Sequence, residues 1–172
     1  MTDEGRRSKM RDSSKHTDPK SVAISSNKGF MSSSENKLIN LCKVMKRNLP
    51  NYVFNLNDIA EQFRIKRTES LNTVIQQETE RYNGLVKKIL DDLRTILLVQ
   101  DGEAFVTPEL QITMDSITRG QVPASWLKVS YPSLKPLASY IKDLNLRCET
   151  FRQWTELDTP TPVFWIGGFF FT

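Results

Sequence analysis

The side chains with most chemical potential in this 172-residue protein are its paired acids, its two cysteines and its single histidine. Asp91 and Asp92 could hold a cation or share a proton if both carboxylates faced one point. Adjacent helical residues diverge by about 100°, so the two point apart and are expected on a solvated face. Glu78 and Glu80, with Arg81 and Lys87, are expected to form surface pairs worth roughly 0.2–1 kcal/mol each. Cys42 and Cys148 are far apart and lack C-x-x-C spacing, which favours buried reduced thiols over a disulfide or a metal site. His16 lies in a polar stretch, so neither a histidine-based triad nor a histidine metal cluster is expected in the folded part. No G-x-x-x-x-G-K-[ST] run is available to wrap phosphates. Gly167-Gly168 is followed by phenylalanines, which suits a tight turn or a close packing contact better than a phosphate loop. No catalytic, cofactor-binding or metal-ligating residue is therefore expected.

Composition points the same way. Hydrophobic residues make up 38% of the sequence, but residues 1–34 hold almost no large apolar side chains. Such a stretch cannot offset a backbone ordering cost of roughly 1–2 kcal/mol per residue, so it is read as a disordered polar tail. The formal charge of +4 is spread among interleaved acids and bases. With no single-sign stripe, nucleic acid is not an expected partner. The N-terminus has no apolar core of a secretory signal, and no apolar run is long enough to span a membrane. A cytoplasmic setting is expected by elimination.

The rest of the sequence reads as helices. Ser34 offers an N-cap to a helix carrying Leu38, Leu41, Cys42 and Met45, which Pro50 stops. A second, short helix carries Leu56, Ile59 and Phe63, with Asn55 or Asn57 near its start. From about Thr68 to Leu97 an apolar stripe runs through Leu71, Val74, Ile75, Tyr82, Leu85, Ile89 and Leu93 for some seven turns. Asp101-Gly102 breaks it. Thr107-Pro108-Glu109 starts another helix, which Gly120 ends. Pro123 opens a turn of helix bearing Trp126.

Pro132 and Pro136 make Tyr131–Pro136 a rigid elbow, with Tyr131 and Leu134 expected to anchor it to the core. A helix then resumes through Leu137, Ile141, Leu144, Cys148 and Phe151. Thr159-Pro160-Thr161-Pro162 is a stiff spacer, and Val163–Ile166, with Phe164 and Trp165, reads as a buried strand before the aromatic burst at Phe169. Trp126, Trp154 and Trp165 are expected as core or interface anchors rather than base-stacking platforms. The fold class is mainly α: a helical bundle with one long amphipathic helix, a proline-rich elbow and a short C-terminal strand.

Several separated motifs resemble one family. Glu69-Ser70-Leu71-Asn72-Thr73-Val74, Glu80-Arg81-Tyr82-Asn83, Val122-Pro123 followed by Trp126, Ser130-Tyr131-Pro132-Ser133-Leu134-Lys135-Pro136-Leu137, Asp143-Leu144 with Arg147, and Val163–Phe171 stand in the order and spacing of the C-terminal region of axonemal-type dynein heavy chains. The likeness runs from about Asn48 to Thr172. Asp101, Glu103 and Gly167 depart from the family's usual residues, and the family continues beyond the position of Thr172.

The resemblance implies that residues 35–66 are lid-like helices of the sixth AAA+ module and residues 67–172 the start of the C-terminal domain. It implies a structural, non-catalytic part of a motor whose ATP and magnesium are bound elsewhere. The expected partners are the remainder of the motor ring and the dynein intermediate and light chains. Microtubules enter only indirectly, and the setting is the cytoskeleton of a cilium or axoneme. A stand-alone helical adaptor that binds dynein subunits is the alternative. The aromatic residues near the C-terminus would be costly to leave in water. They raise the expectation of either an incomplete gene product or a segment that docks on another polypeptide.

Overall fold

A 31-residue helix, α3 (Ser70–Gln100), is the rod on which the rest is assembled in the computed structural model, which describes residues 33–50, 54–157 and 165–170. Before it come α1 (Ser33–Asn48) and α2 (Leu56–Gln62). After it come α4 (Pro108–Thr118), the single turn α5 (Ala124–Leu127) and α6 (Leu137–Glu156). A 3-10 turn covers Ile166–Gly168. Mainly helical architecture is thus confirmed, and among the described residues the only β pairing is an isolated bridge between Lys66 and Glu69.

The expected stripe on α3 is the core. Ile75, Tyr82, Leu85, Val86, Ile89, Leu93 and Ile96 are buried, while Leu71, Val74 and Leu97 pack on its margin. Apolar residues at three- and four-residue spacing fall on one face of a 3.6-residue helix, and burying that face drives the assembly. Against it lie Leu38, Ile39, Cys42 and Met45 of α1, Ile117 of α4, and Tyr140, Leu144, Cys148 and Phe151 of α6. A polar stripe on α3 has a second task. Asn83 accepts the Phe54 N–H and donates to the Phe54 carbonyl, both at 2.7 Å. Gln76 donates to the Phe63 carbonyl at 2.7 Å and Asn72 to that of Arg64 at 2.9 Å. Spaced at i, i+4 and i+11, these amides fasten the backbone around α2 to the rod.

Helix ends follow local chemistry. Asn55 caps α2 with its side-chain oxygen, which accepts from the Asn57 N–H. The Thr107 hydroxyl caps α4 by accepting from Leu110, with Pro108 at the first position. Both helices that end at a glycine do so in Schellman motifs. In α4, Gly120 donates to Ile117 and Gln121 to Ser116, each at 2.9 Å; Gly102 and Glu103 repeat the pattern at the end of α3. The φ of +72° at Gly120 and +78° at Gly102 is the left-handed conformation that glycine adopts without a Cβ penalty.

Three expectations need correction. Leu134 does not anchor the elbow: it is fully exposed, and Tyr131, at 1% exposure, is the elbow's buried side chain. The two prolines hold residues 132–136 off the core, so a side group at 134 has nothing to reach. The buried strand is absent where the segment is described, because Ile166 opens the 3-10 turn instead and is itself exposed. Glycines at 167 and 168 allow the backbone to fold back rather than extend. Asp92 is not a free surface acid; its carboxylate accepts from the Trp126 indole N–H and from Lys88, both at 2.8 Å. The expected polar tail, apart from Ser33 and Ser34 in α1, lies outside the described residues, as do the proline spacer and Phe164.

Leu85 and Ile89 are both fully buried. Replacing either by Ala is expected to cost about 2–5 kcal/mol in denaturant unfolding, whereas Leu134→Ala should stay within about 0.5 kcal/mol. A Leu85→Ala loss below that small figure would contradict the assigned core.

Candidate functional site

The most elaborate arrangement of polar groups sits where residues 165–170 pass between α3 and α6. Two helices supply it. On α6, Asp143 and Arg147 are one turn apart on the face that also carries Tyr140, Leu144 and Phe151, so both are drawn inside. On α3, Glu78 lies one turn before Tyr82, within the buried stripe.

Arg147 is the hub. Its Nε donates to Asp143 at 2.9 Å, and its Nη1 donates to the Phe169 carbonyl at 3.1 Å. Its guanidinium lies 3.8 Å from the centroid of the Tyr131 ring, with the Trp165 ring 5.6 Å away. A planar, weakly hydrated cation suits this place, because it can stack on aromatic faces while its edge makes hydrogen bonds. Asp143 also accepts from Lys135 of the elbow. The ion pair therefore ties elbow, helix and C-terminal segment at one point.

Two further bonds complete the clasp. The Tyr82 hydroxyl donates to the Gly168 carbonyl, and the Glu78 carboxylate accepts the Phe170 N–H at 2.7 Å. Glu78 also accepts from Arg81 at 2.9 Å. Phe169 lies 5.3 Å from Phe151 and 5.6 Å from Trp154, and Phe170 meets Tyr82 edge-on at 4.7 Å and Tyr131 at 5.7 Å. These offset and edge-on contacts suit the ring quadrupoles, and burying such an aromatic group contributes roughly 1.5–3 kcal/mol. A Cβ at Gly167 or Gly168 would fall 3.0 or 3.1 Å from the Trp165 ring. The paired glycines let that ring fold back over the turn, which is the close packing contact expected of them.

Charge is managed by the same contacts. Burial pushes the Asp143 carboxyl upward, but the hydrogen bonds from Lys135 and Arg147 outweigh it and hold the group below the ordinary carboxylate range. Burial also raises the phenols of Tyr82 and Tyr131, and brings Tyr140 to about 12 against a hydrogen bond with Ser130. The Cys42 and Cys148 thiols are pushed by burial to about 11 and about 12. That burial favours the neutral thiol over the thiolate. Both are reduced and buried, as their spacing suggested.

The structure brings together Tyr82, Tyr131, Trp165 and Phe169 of the residues singled out from sequence. Leu71, Leu85, Ile89, Trp126 and Leu137 are packing residues that take no part in the clasp's hydrogen bonds, and Leu134 stands in solvent. Glu78 is not the surface acid its type suggests, and the i,i+4 spacing of Asp143 and Arg147 fits an ion pair without showing that the pair is buried. A signal is present all the same: all three occupy positions that the three-four spacing assigns to the inward face. Among the described residues no group of acids, cysteines or histidines is placed to hold a metal ion. No described helix is long and apolar enough to cross a membrane.

The folded pKa of Asp143 lies below its unfolded value of about 3.9. Its stabilising contribution is therefore full above that pH and fades as the pH falls through the folded value. Asp143→Asn is expected to cost about 3–5 kcal/mol at pH 7, by leaving Arg147 buried without its carboxylate, and to flatten the acid limb of the stability curve. Unfolding titrations between pH 7 and pH 2 measure both; an unchanged acid limb would contradict the assignment. Cys42 and Cys148 should resist alkylation in the native protein and react on unfolding.

The family model for the C-terminal domain of dynein heavy chains matches residues 6–172. The sequence is 40% identical to mouse dynein axonemal heavy chain 3 over 124 residues, which is 72% of this protein and 3% of that one. It is 37% identical to mouse dynein axonemal heavy chain 12 over 144 residues, 84% of this protein and 5% of the relative. Against mouse dynein axonemal heavy chain 1 the identity is 41% over 116 residues, 67% of this protein and 3% of the relative. The 172 residues thus span about one-twentieth or less of the length of these relatives. Arg147, Asp143, Tyr82 and the glycine turn all lie inside the matched region, and the protein belongs to the dynein heavy chain family, in the part that forms its C-terminal domain.

Proposed function

We propose that these residues are a structural, non-catalytic part of a dynein heavy chain, serving as a helical brace in the motor ring and C-terminal region. The observation that carries this reading is the use made of the buried polar groups. Glu78, Tyr82, Asp143 and Arg147 are the groups an enzyme would aim at a substrate, and here each is hydrogen-bonded to another segment of the same polypeptide. Groups so occupied lock geometry and have little capacity left for proton or phosphoryl transfer.

The kinship with axonemal heavy chains supports a place in microtubule-based movement of a cilium or flagellum, driven by ATP and magnesium bound elsewhere in the motor. On this reading the partners are the remaining ring and the intermediate and light chains, with microtubules engaged indirectly. α1 shares its core with α3, α4 and α6. The lid-like helices over 35–66 and the start of the C-terminal domain over 67–172 would then move as one stiff unit, which is what a passive brace requires.

Isothermal titration of the purified protein with ATP and magnesium tests the reading, together with a phosphate-release assay. No saturable heat and no turnover are expected. Saturable binding or release above buffer would overturn the non-catalytic assignment.

A further inference from the structure

On the side of the bundle away from the clasp, α1, the end of α4 and the first half of α6 border an open groove of about 390 Å³. Leu41, Val44 and Met45 form one wall, Ala138 and Ile141 the other, and Ile117 lies at the base. The groove exists because small residues stand where α4 meets α6. Gly120 ends α4 abruptly, its carbonyl accepts the Leu137 N–H at 3.0 Å, and Ala138 follows. Residues 41–48 and 138–145 run beside it for two turns each, or about 10 Å at 1.5 Å per residue.

Its charge is one-sided. Lys142 is the charged residue in the lining, and Lys46 and Arg47 occupy the last turn of α1. All three are exposed and form no ion pair among the described residues. The helix dipole of α1 accounts for cations at 46 and 47 but not for Lys142, which lies within α6. One hydrogen-bonding capacity is also unmet. Asn145 donates through Nδ2 to the Asn48 carbonyl, while its buried Oδ1 has no hydrogen-bond partner.

We propose that this groove is a docking site for an acidic amphipathic helix of another polypeptide segment. Its apolar residues at i, i+4 and i+7 fill the groove, and its carboxylates meet Lys142 on one rim and Arg47, beside Val44, on the other. A helix laid in an apolar groove is a recurring recognition mode, with specificity set by the flanking charges. The inference concerns a different face from the clasp and stands whether or not the protein is a brace.

Fluorescence anisotropy with the full 172-residue protein tests it. The probe is a labelled helical peptide about 14 residues long, with Leu at the three groove positions and Glu on its flanks; the control carries Lys for Glu. The acidic peptide should bind saturably, at least about tenfold more tightly than the basic one, and more weakly as salt is raised. Ala138→Trp, at an exposed position, should abolish binding while leaving the circular dichroism unchanged, and Lys142→Glu should weaken it about fivefold or more. No saturation, equal affinity for both peptides, or undiminished binding by both variants would overturn the proposal. A dimer in sedimentation equilibrium that Ala138→Trp dissolves would overturn it in favour of a second copy as occupant.

Discussion

The guanidinium of Arg147 is the point on which the C-terminal half of this structure depends. It is buried between aromatic rings, neutralised by Asp143 and hydrogen-bonded to a backbone carbonyl 22 residues further along. An isolated charge in such a place would be untenable, and removing one member of a buried pair costs several kcal/mol. The pair, the Tyr131 ring and the Phe169 carbonyl therefore stand or fall together. Lys135 extends the set to the elbow, so proline-stiffened backbone, helix α6 and the terminal segment share one electrostatic centre.

A wholly apolar socket could have held Phe169 and Phe170 by burial alone. Polar groups add register. The carbonyls of Gly168 and Phe169 and the N–H of Phe170 each meet a different residue, from α3 or α6. A slip of one residue would present each buried donor or acceptor with the wrong group, at a cost of roughly 1–3 kcal/mol apiece. The aromatic contacts provide attraction, and the hydrogen bonds choose the position. This division of labour suits a part that must hold one shape inside a larger moving assembly.

Much of the fold is legible in the sequence because its signals are local. Thr107-Pro108 and Gly120 bracket α4 by capping chemistry that needs no tertiary partner, and the α3 stripe from Ile75 to Ile96 is periodic enough to declare its own core. The clasp is less legible because its members are polar. Glu78, Asp143 and Arg147 sit at inward positions, but a charged group there is read as solvated unless its counterpart is known, and the counterparts include backbone atoms up to 92 residues away. Asp92 misleads for the same reason, its partner being the indole of Trp126. Leu134 misleads in the opposite sense: an apolar residue between prolines looks like an anchor, yet the elbow that positions it also holds it clear of the core. Family resemblance marks Asp143 and Arg147 as characteristic without saying what they hold.

Native-state hydrogen exchange at the Phe170 amide, in the unaltered protein and in Arg147→Met, tests the central role of this guanidinium most directly. The substitution keeps an apolar stem but removes the donor to Phe169. If Arg147 fixes the terminal segment, Phe170 protection should fall by at least about tenfold (about 1.4 kcal/mol) more than that of the buried amide of Ile117 in α4. Equal losses at the two amides, or an unchanged Phe170, would show that the aromatic socket holds the segment without the ion pair.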